Sequence, residues 1–325
     1  MEGYRELLDF QLANGVNGIV VAGTTGEAPT LTPAEFSEAL SSSLDSGGNR
    51  ATIIANTGSN DTHKAVKATL EAWDMGARAA LLVDPYYNCP SSLEIRREYY
   101  EPVAMAAGEM LIIPYIIPGR TGTQITPEDV ALLAKACPNV KAVKEATGSS
   151  ENAAMIRSLC GSPLSIMSGD DERTYNLMSD SRVMADGAIS VMSNIAPRAV
   201  SDMVSATLKG DLEKAGALAA ALKPLFEMVT IKTEEAVMGH LLTVKAKNPL
   251  PVKTMAAMLG MPAGRCRQPL GKMTRTGLKR VLVGLRAVWK QNPEILEHIE
   301  ERFGVSVGDR LESPASMEGL YYEGY

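Results

Sequence analysis

Seven short apolar runs punctuate the first 191 residues: GIVVA at 18–22, ATIIA at 51–55, AALLV at 79–83, LIIPY at 111–115, VKAVK at 140–144, LSIMS at 164–168 and GAISV at 187–191. Longer segments of helical period follow them, such as PAEFSEALSSSL and PEDVALLAKAC, both opened by a Thr-Pro pair that supplies a side-chain cap and a proline for the first helical position. Apolar strands on this rhythm are covered on both faces. That restricts the chain to a parallel sheet, either closed as a barrel or open and doubly wound.

The loops choose between the two. An open dinucleotide-binding sheet would carry GxGxxG after its first strand, and none occurs here. Polar signatures stand instead at the C-terminal ends of many strands, where a (β/α)8 barrel builds its site. The expected fold is therefore α/β, a (β/α)8 TIM barrel lacking its first strand, since seven strands are counted and the chain opens inside the helix ahead of GIVVA. From 197 onward helical pattern replaces strands, as in DLEKAGALAAALKPLFEMV and TRTGLKRVLVGLRAVWKQ. The expected organisation is a barrel over residues 1–209, a C-terminal helical region over 210–290 and an extension over 291–325, within which FGVSV at 303–307 is a candidate to cover the open seam.

Charge and composition narrow the function. A net charge of −6 without a basic stripe argues against nucleic acid, and no segment approaches the roughly 18 apolar residues of a membrane span. The N-terminal segment lacks the basic and apolar regions of a signal peptide, and Cys89, Cys137, Cys160 and Cys266 are scattered without CxxC pairing, which suits reduced cytoplasm. A protein acting on a small molecule, with neither metal nor cofactor, is expected.

Lys144 ends a strand among Val140, Ala142 and Val143, on the opposite face from Lys141. Most strand-end lysines are solvated or salt-bridged. In an apolar barrel mouth, however, desolvation disfavours an ammonium and leaves an amine that attacks carbonyls, which makes Lys144 a Schiff-base candidate. Tyr115 ends the neighbouring strand and is either a packed core tyrosine or a proton carrier for that amine. Arg120, in a loop bracketed by Pro118, Gly119 and Gly122, suits a carboxylate, although loop arginines are ordinarily solvated. Tyr86 and Tyr87 in DPYYNCP, as paired loop aromatics, are expected to cover a core edge or an oligomer interface more than to do chemistry. In SGDD no histidine lies nearby, so helix capping by Asp170 or Asp171 is favoured over a metal. In GTTGE two threonine hydroxyls stand between glycines at a strand end, which packing alone does not require.

Taken in order, GTTGE, DPYYNCP, YIIPGRTG, VKEATG, SGDD, GAISV and LPVK closely resemble the dihydrodipicolinate synthase (4-hydroxy-tetrahydrodipicolinate synthase) family, within the pyruvate-dependent class I aldolases related to N-acetylneuraminate lyase. The resemblance runs from residue 1 to about 288. It implies condensation of pyruvate with L-aspartate 4-semialdehyde in lysine and diaminopimelate biosynthesis, by a homotetramer or homodimer without a cofactor. By motif position it also implies that Lys144 forms the pyruvate imine and that Tyr115 and Thr24 relay protons. Thr25 would hold the keto acid's carboxylate, Ile189 would face it through its backbone carbonyl, and Arg120 would receive the semialdehyde's carboxylate. Tyr87 would complete the relay in a neighbouring subunit.

The alternatives are a 2-keto-3-deoxy sugar acid or N-acetylneuraminate-type aldolase, and a truncated, inactive keto-acid-binding homologue. The sugar-acid enzymes generally lack the arginine and often read GSTGE. Two departures stand out: Ile116 follows Tyr115 where the family usually has Asn, and Lys64 occupies the acidic position of the family's lysine-inhibition site, beside a retained Asn60 and Tyr86.

Overall fold

In the computed structural model, which describes residues 1–325, all seven expected strands form. They are β1 (Gly18–Val21), β2 (Thr52–Asn56), β3 (Ala79–Val83), β4 (Leu111–Ile116), β5 (Ala142–Glu145), β6 (Ser165–Ser168) and β7 (Gly187–Ala188). They make one parallel sheet in sequence order, with β1 and β7 as its free edges, so the fold is a TIM-type barrel short of one strand. The Thr-Pro starts behave as caps. Thr32 accepts from the backbone N–H of Glu35, whose carboxylate accepts from Thr32 N–H in return, and Thr126 accepts from Asp129 N–H. Each such cap is worth about 1 kcal/mol.

Side-chain alternation along the strands separates two faces. Ala79, Leu81, Ile113, Tyr115 and Ala142 form a small interior cluster. Ala80, Leu82, Ile112, Ile116, Val143 and Ile166 belong to the much larger core beneath the surrounding helices. Lys144, two residues beyond Ala142, takes the interior face.

A second core joins Met192 to Met203, the C-terminal helices and Phe10 of the first helix (Glu2–Ala13). The extension is part of it, through Ile295, Leu296, Ile299, Val307 and Leu311. Phe10 stacks on His298 at 5.2 Å between ring centroids and meets Phe303 at the same separation. The extension therefore lies against the first helix, yet none of it joins the sheet: residues 303–307 include a helix end and the start of another helix (Val307–Glu312).

One expectation fails. Beyond 197 the chain is not only helical, because β8 (Thr230–Val237) and β9 (His240–Lys247) pair as an antiparallel hairpin. Met238 and Gly239 form its two-residue turn, both at positive φ (51° and 82°), as a type I′ turn requires. The hairpin escapes sequence reading because only Ile231 and Thr233 are buried in it and β9 is largely exposed, so no apolar alternation advertises it.

Candidate active site

Tyr115 and Lys144 are partners in the parallel register of β4 and β5, near the C-terminal ends of both strands. Both are buried, at 5% and 8% exposure. The lysine Nζ lies 4.2 Å from the centre of the Tyr115 ring, over its face. The lysine stem is fixed from the other side by Gly169 of SGDD. A Cβ built on Gly169 would stand 2.8 Å from Lys144 Cε and 2.9 Å from Ala146 Cβ, so only glycine leaves the amine where it is.

The acids of SGDD do not cap the helix that follows (Thr174–Ser179), which has no side-chain cap. Asp171 reaches instead to the loop after β7, where its carboxylate accepts from Val191 N–H (3.0 Å) and Met192 N–H (2.9 Å). Burial raises its pKa. Ile189 begins that loop and is tied back to β6 by a bond from its N–H to Ser168 O at 2.8 Å. The short β7 and the loop that holds Ile189 are thus pinned by neighbours rather than by their own length.

The two threonines stand in a tight turn after β1. Ala22 and Glu27 both adopt positive φ (54° and 55°), and Gly26 packs against Ala22, where a Cβ would come within 3.1 Å of the alanine Cα. Such strain persists only when surroundings over-determine it. Here the buried Glu27 carboxylate accepts from Lys253 Nζ at 2.6 Å and from Arg267 N–H at 2.8 Å, clamping the turn to the C-terminal region. Thr25 Oγ1 accepts from Asn248 Nδ2 at 3.0 Å. Asn248, which follows β9 directly, also accepts through its carbonyl from Arg120 at 2.8 Å.

Lys144 with Tyr115, and Thr25 with Arg120 through Asn248, are thus brought together. Thr24 makes no side-chain hydrogen bond to either tyrosine of the expected relay. Tyr87 stands 85% exposed at a φ of 81°, outside its own chain's cluster. Asn248, Gly169, Glu27 and Lys253 are the residues that sequence reading left without a role. Gly169, Glu27 and Lys253 had a signal, as members of SGDD, GTTGE and LPVK, and Asn248 had none. Under the same loop system Asp84 is fully buried, accepting from Tyr100 OH at 2.7 Å and Ile125 N–H at 3.3 Å, and burial pushes its pKa up to about 7.

An interior lysine beside a phenol, with hydroxyl and guanidinium groups across the mouth, has the parts needed for imine chemistry on an anionic keto acid. Comparison with known proteins points the same way. A model of the dihydrodipicolinate synthetase family matches residues 1–287. A 4-hydroxy-tetrahydrodipicolinate synthase of Trichlorobacter lovleyi is 40% identical over 270 residues, covering 83% of this chain and 86% of that one. The solved 4-hydroxy-tetrahydrodipicolinate synthase of Methylacidiphilum fumariolicum superposes with a TM-score of 0.81 at 34% identity, over 93% of each chain. The dihydrodipicolinate synthase of Aquifex aeolicus gives 0.80 at 34%, over 91% of this chain and 93% of that one.

Proposed function

Because the chain belongs to the dihydrodipicolinate synthetase family, we propose that it is a lyase of the 4-hydroxy-tetrahydrodipicolinate synthase type, condensing pyruvate with L-aspartate 4-semialdehyde on the route to diaminopimelate and lysine. The observation that carries this reading is the Lys144 amine, buried on the interior face against the Tyr115 ring.

The Lys144 amine adds to the keto carbon of pyruvate, and loss of water gives the imine. Loss of a methyl proton converts the imine to an enamine, whose carbon attacks the aldehyde of the second substrate. The new substrate amine then attacks the imine carbon and closes a ring, expelling Lys144. One water is released overall, and every other proton taken up is returned. Tyr115, with Thr24 and the Tyr87 of a neighbouring subunit, carries those protons. Thr25 holds the pyruvate carboxylate, the carbonyl of Ile189 faces the keto acid, and Arg120 receives the semialdehyde's carboxylate.

The exposed, strained Tyr87 supports an assembly in which it is buried by a second copy, as a dimer or tetramer. No helix is long and apolar enough to cross a membrane, and a biosynthetic role of this kind belongs in the cytoplasm. The test is reduction with borohydride in the presence of pyruvate. An adduct mapping to Lys144, together with turnover of L-aspartate 4-semialdehyde in preference to sugar-derived aldehydes, is expected. Absence of the adduct would overturn the reading.

A further inference from the structure

The hairpin ends at the mouth of the barrel, and its last residues bring charge with them. Residues 119–120 and 247–248 clasp each other reciprocally: Lys247 Nζ donates to Gly119 O at 3.3 Å while the Arg120 guanidinium donates to Asn248 O at 2.8 Å. Lys245, two residues back along β9, shares a face with Lys247. Lys247 is half-buried, and its pKa is lowered by burial first and then by the charges of Lys245 and Arg120.

No carboxylate of the chain pairs with any of these three cations. Arg120 and Lys245 are exposed and Lys247 is half-buried beside them; like charges without a counter-ion repel one another, and an arriving anion relieves that repulsion. The Gly119 carbonyl uses one of the lysine's three donors, which leaves two for a ligand. The clasp also ties the cation to the turn that carries Arg120, and Asn248 ties the same turn to Thr25.

We propose that Lys247 is a second anion-binding cation of the site, acting beside Arg120 on the carboxylate of the incoming aldehyde and selecting for aldehydes that carry one. The assignment rests on the proposed condensation, and it makes the hairpin a specificity element as well as a surface feature.

The experiment compares the full-length protein with its Lys247→Met and Lys247→Arg variants, varying L-aspartate 4-semialdehyde at saturating pyruvate and, separately, pyruvate in borohydride trapping. Lys247→Met is expected to raise KM for the semialdehyde about tenfold while moving half-saturation for pyruvate by less than about twofold, and Lys247→Arg to restore most of the loss. In the unmodified protein, added salt should raise KM for the semialdehyde, and less so in Lys247→Met. An unchanged KM in Lys247→Met, or a parallel rise for both substrates as a purely structural clasp would give, overturns the proposal. If the unmodified protein traps pyruvate but does not turn over the semialdehyde, the functional reading fails separately. The variants are then compared on other carboxylate-bearing and uncharged aldehydes: a loss confined to the carboxylates sustains the assignment, and an equal loss, or acceptance of uncharged aldehydes alone, ends it.

Discussion

Lys144 Nζ lies over the face of the Tyr115 ring, 4.2 Å from its centre, on the neighbouring strand. In the proposed reaction the ring face and the phenol hydroxyl have separate jobs: the face holds the amine in place, and the hydroxyl moves protons. Tyr115→Phe keeps the first and removes the second. It is expected to lower kcat by about 10²-fold or more, with trapping of pyruvate slowed yet still at Lys144. Lys144→Ala should abolish trapping and lower turnover by at least about 10³-fold in a folded protein. Stopped-flow turnover and mass mapping of the trapped adduct check both.

Gly169→Ala places a methyl group 2.8 Å from Lys144 Cε. The lysine stem must move, because Ala146 blocks the other direction. We expect a loss of kcat/KM of about tenfold to a hundredfold with little change in melting temperature, since the displaced side chain faces the site rather than the main core. Wild-type kinetics in this variant would mean that the stem is not fixed from this side.

The proposed crossing of Tyr87 between subunits predicts a concentration-dependent activity. If the neighbouring subunit's Tyr87 completes the relay, dilution or Tyr87→Ala should lower specific activity in parallel with dissociation. Sedimentation and rate measurements on the same samples read this out, and a monomer as active as the assembly would contradict it.

Lys64, exposed at the start of the helix Thr62–Asp74, faces solvent beside Asp61 at 3.9 Å. If Lys64 stands where the resemblance puts an inhibitor-binding acid, its cation repels the ammonium of lysine. Half-inhibition by L-lysine is therefore expected only above about 1 mM, and Lys64→Glu should lower that concentration.

Two buried groups give stability opposite dependences on pH. His298, stacked under Phe10, has its pKa pushed down to about 4 by burial first and by the charge of Arg198 second, from an ordinary 6.5. The unfolded chain takes up that proton first. Stability from this group is therefore full above pH 6.5 and lost as the pH falls to 4, by about 3 kcal/mol in all. Asp84, pushed up to about 7 from 3.8 by burial, works the other way: its contribution is full below 3.8 and is lost as the pH rises through 7. Relative to wild type, His298→Phe should gain stability as the pH is lowered, and Asp84→Asn as it is raised. Denaturant titrations at pH 4.5, 6 and 7.5 test both signs.

What could be read from sequence followed from burial on both faces. The seven sheet strands are mainly apolar because helices cover them, and Lys144 and Tyr115 are conspicuous as candidate functional side chains at the ends of such strands. The hairpin was hidden because water covers most of it, so no apolar run marks its strands. Asn248 was hidden for a different reason. Its contact with Thr25 spans 223 residues of chain, and only the docking of the hairpin base brings the two together. Gly169 looked like an ordinary turn glycine, since its close approach is to a side chain one strand away.

The clamp on Glu27 has a temporal meaning. Its partners Lys253 and Arg267 lie 226 and 240 positions downstream, so a ribosome must complete more than three quarters of the chain before the threonine turn can be locked. A half-synthesised polypeptide already holds Lys144 but neither of the two groups that clamp the turn bearing Thr24 and Thr25. Closure of that turn therefore waits on the C-terminal region.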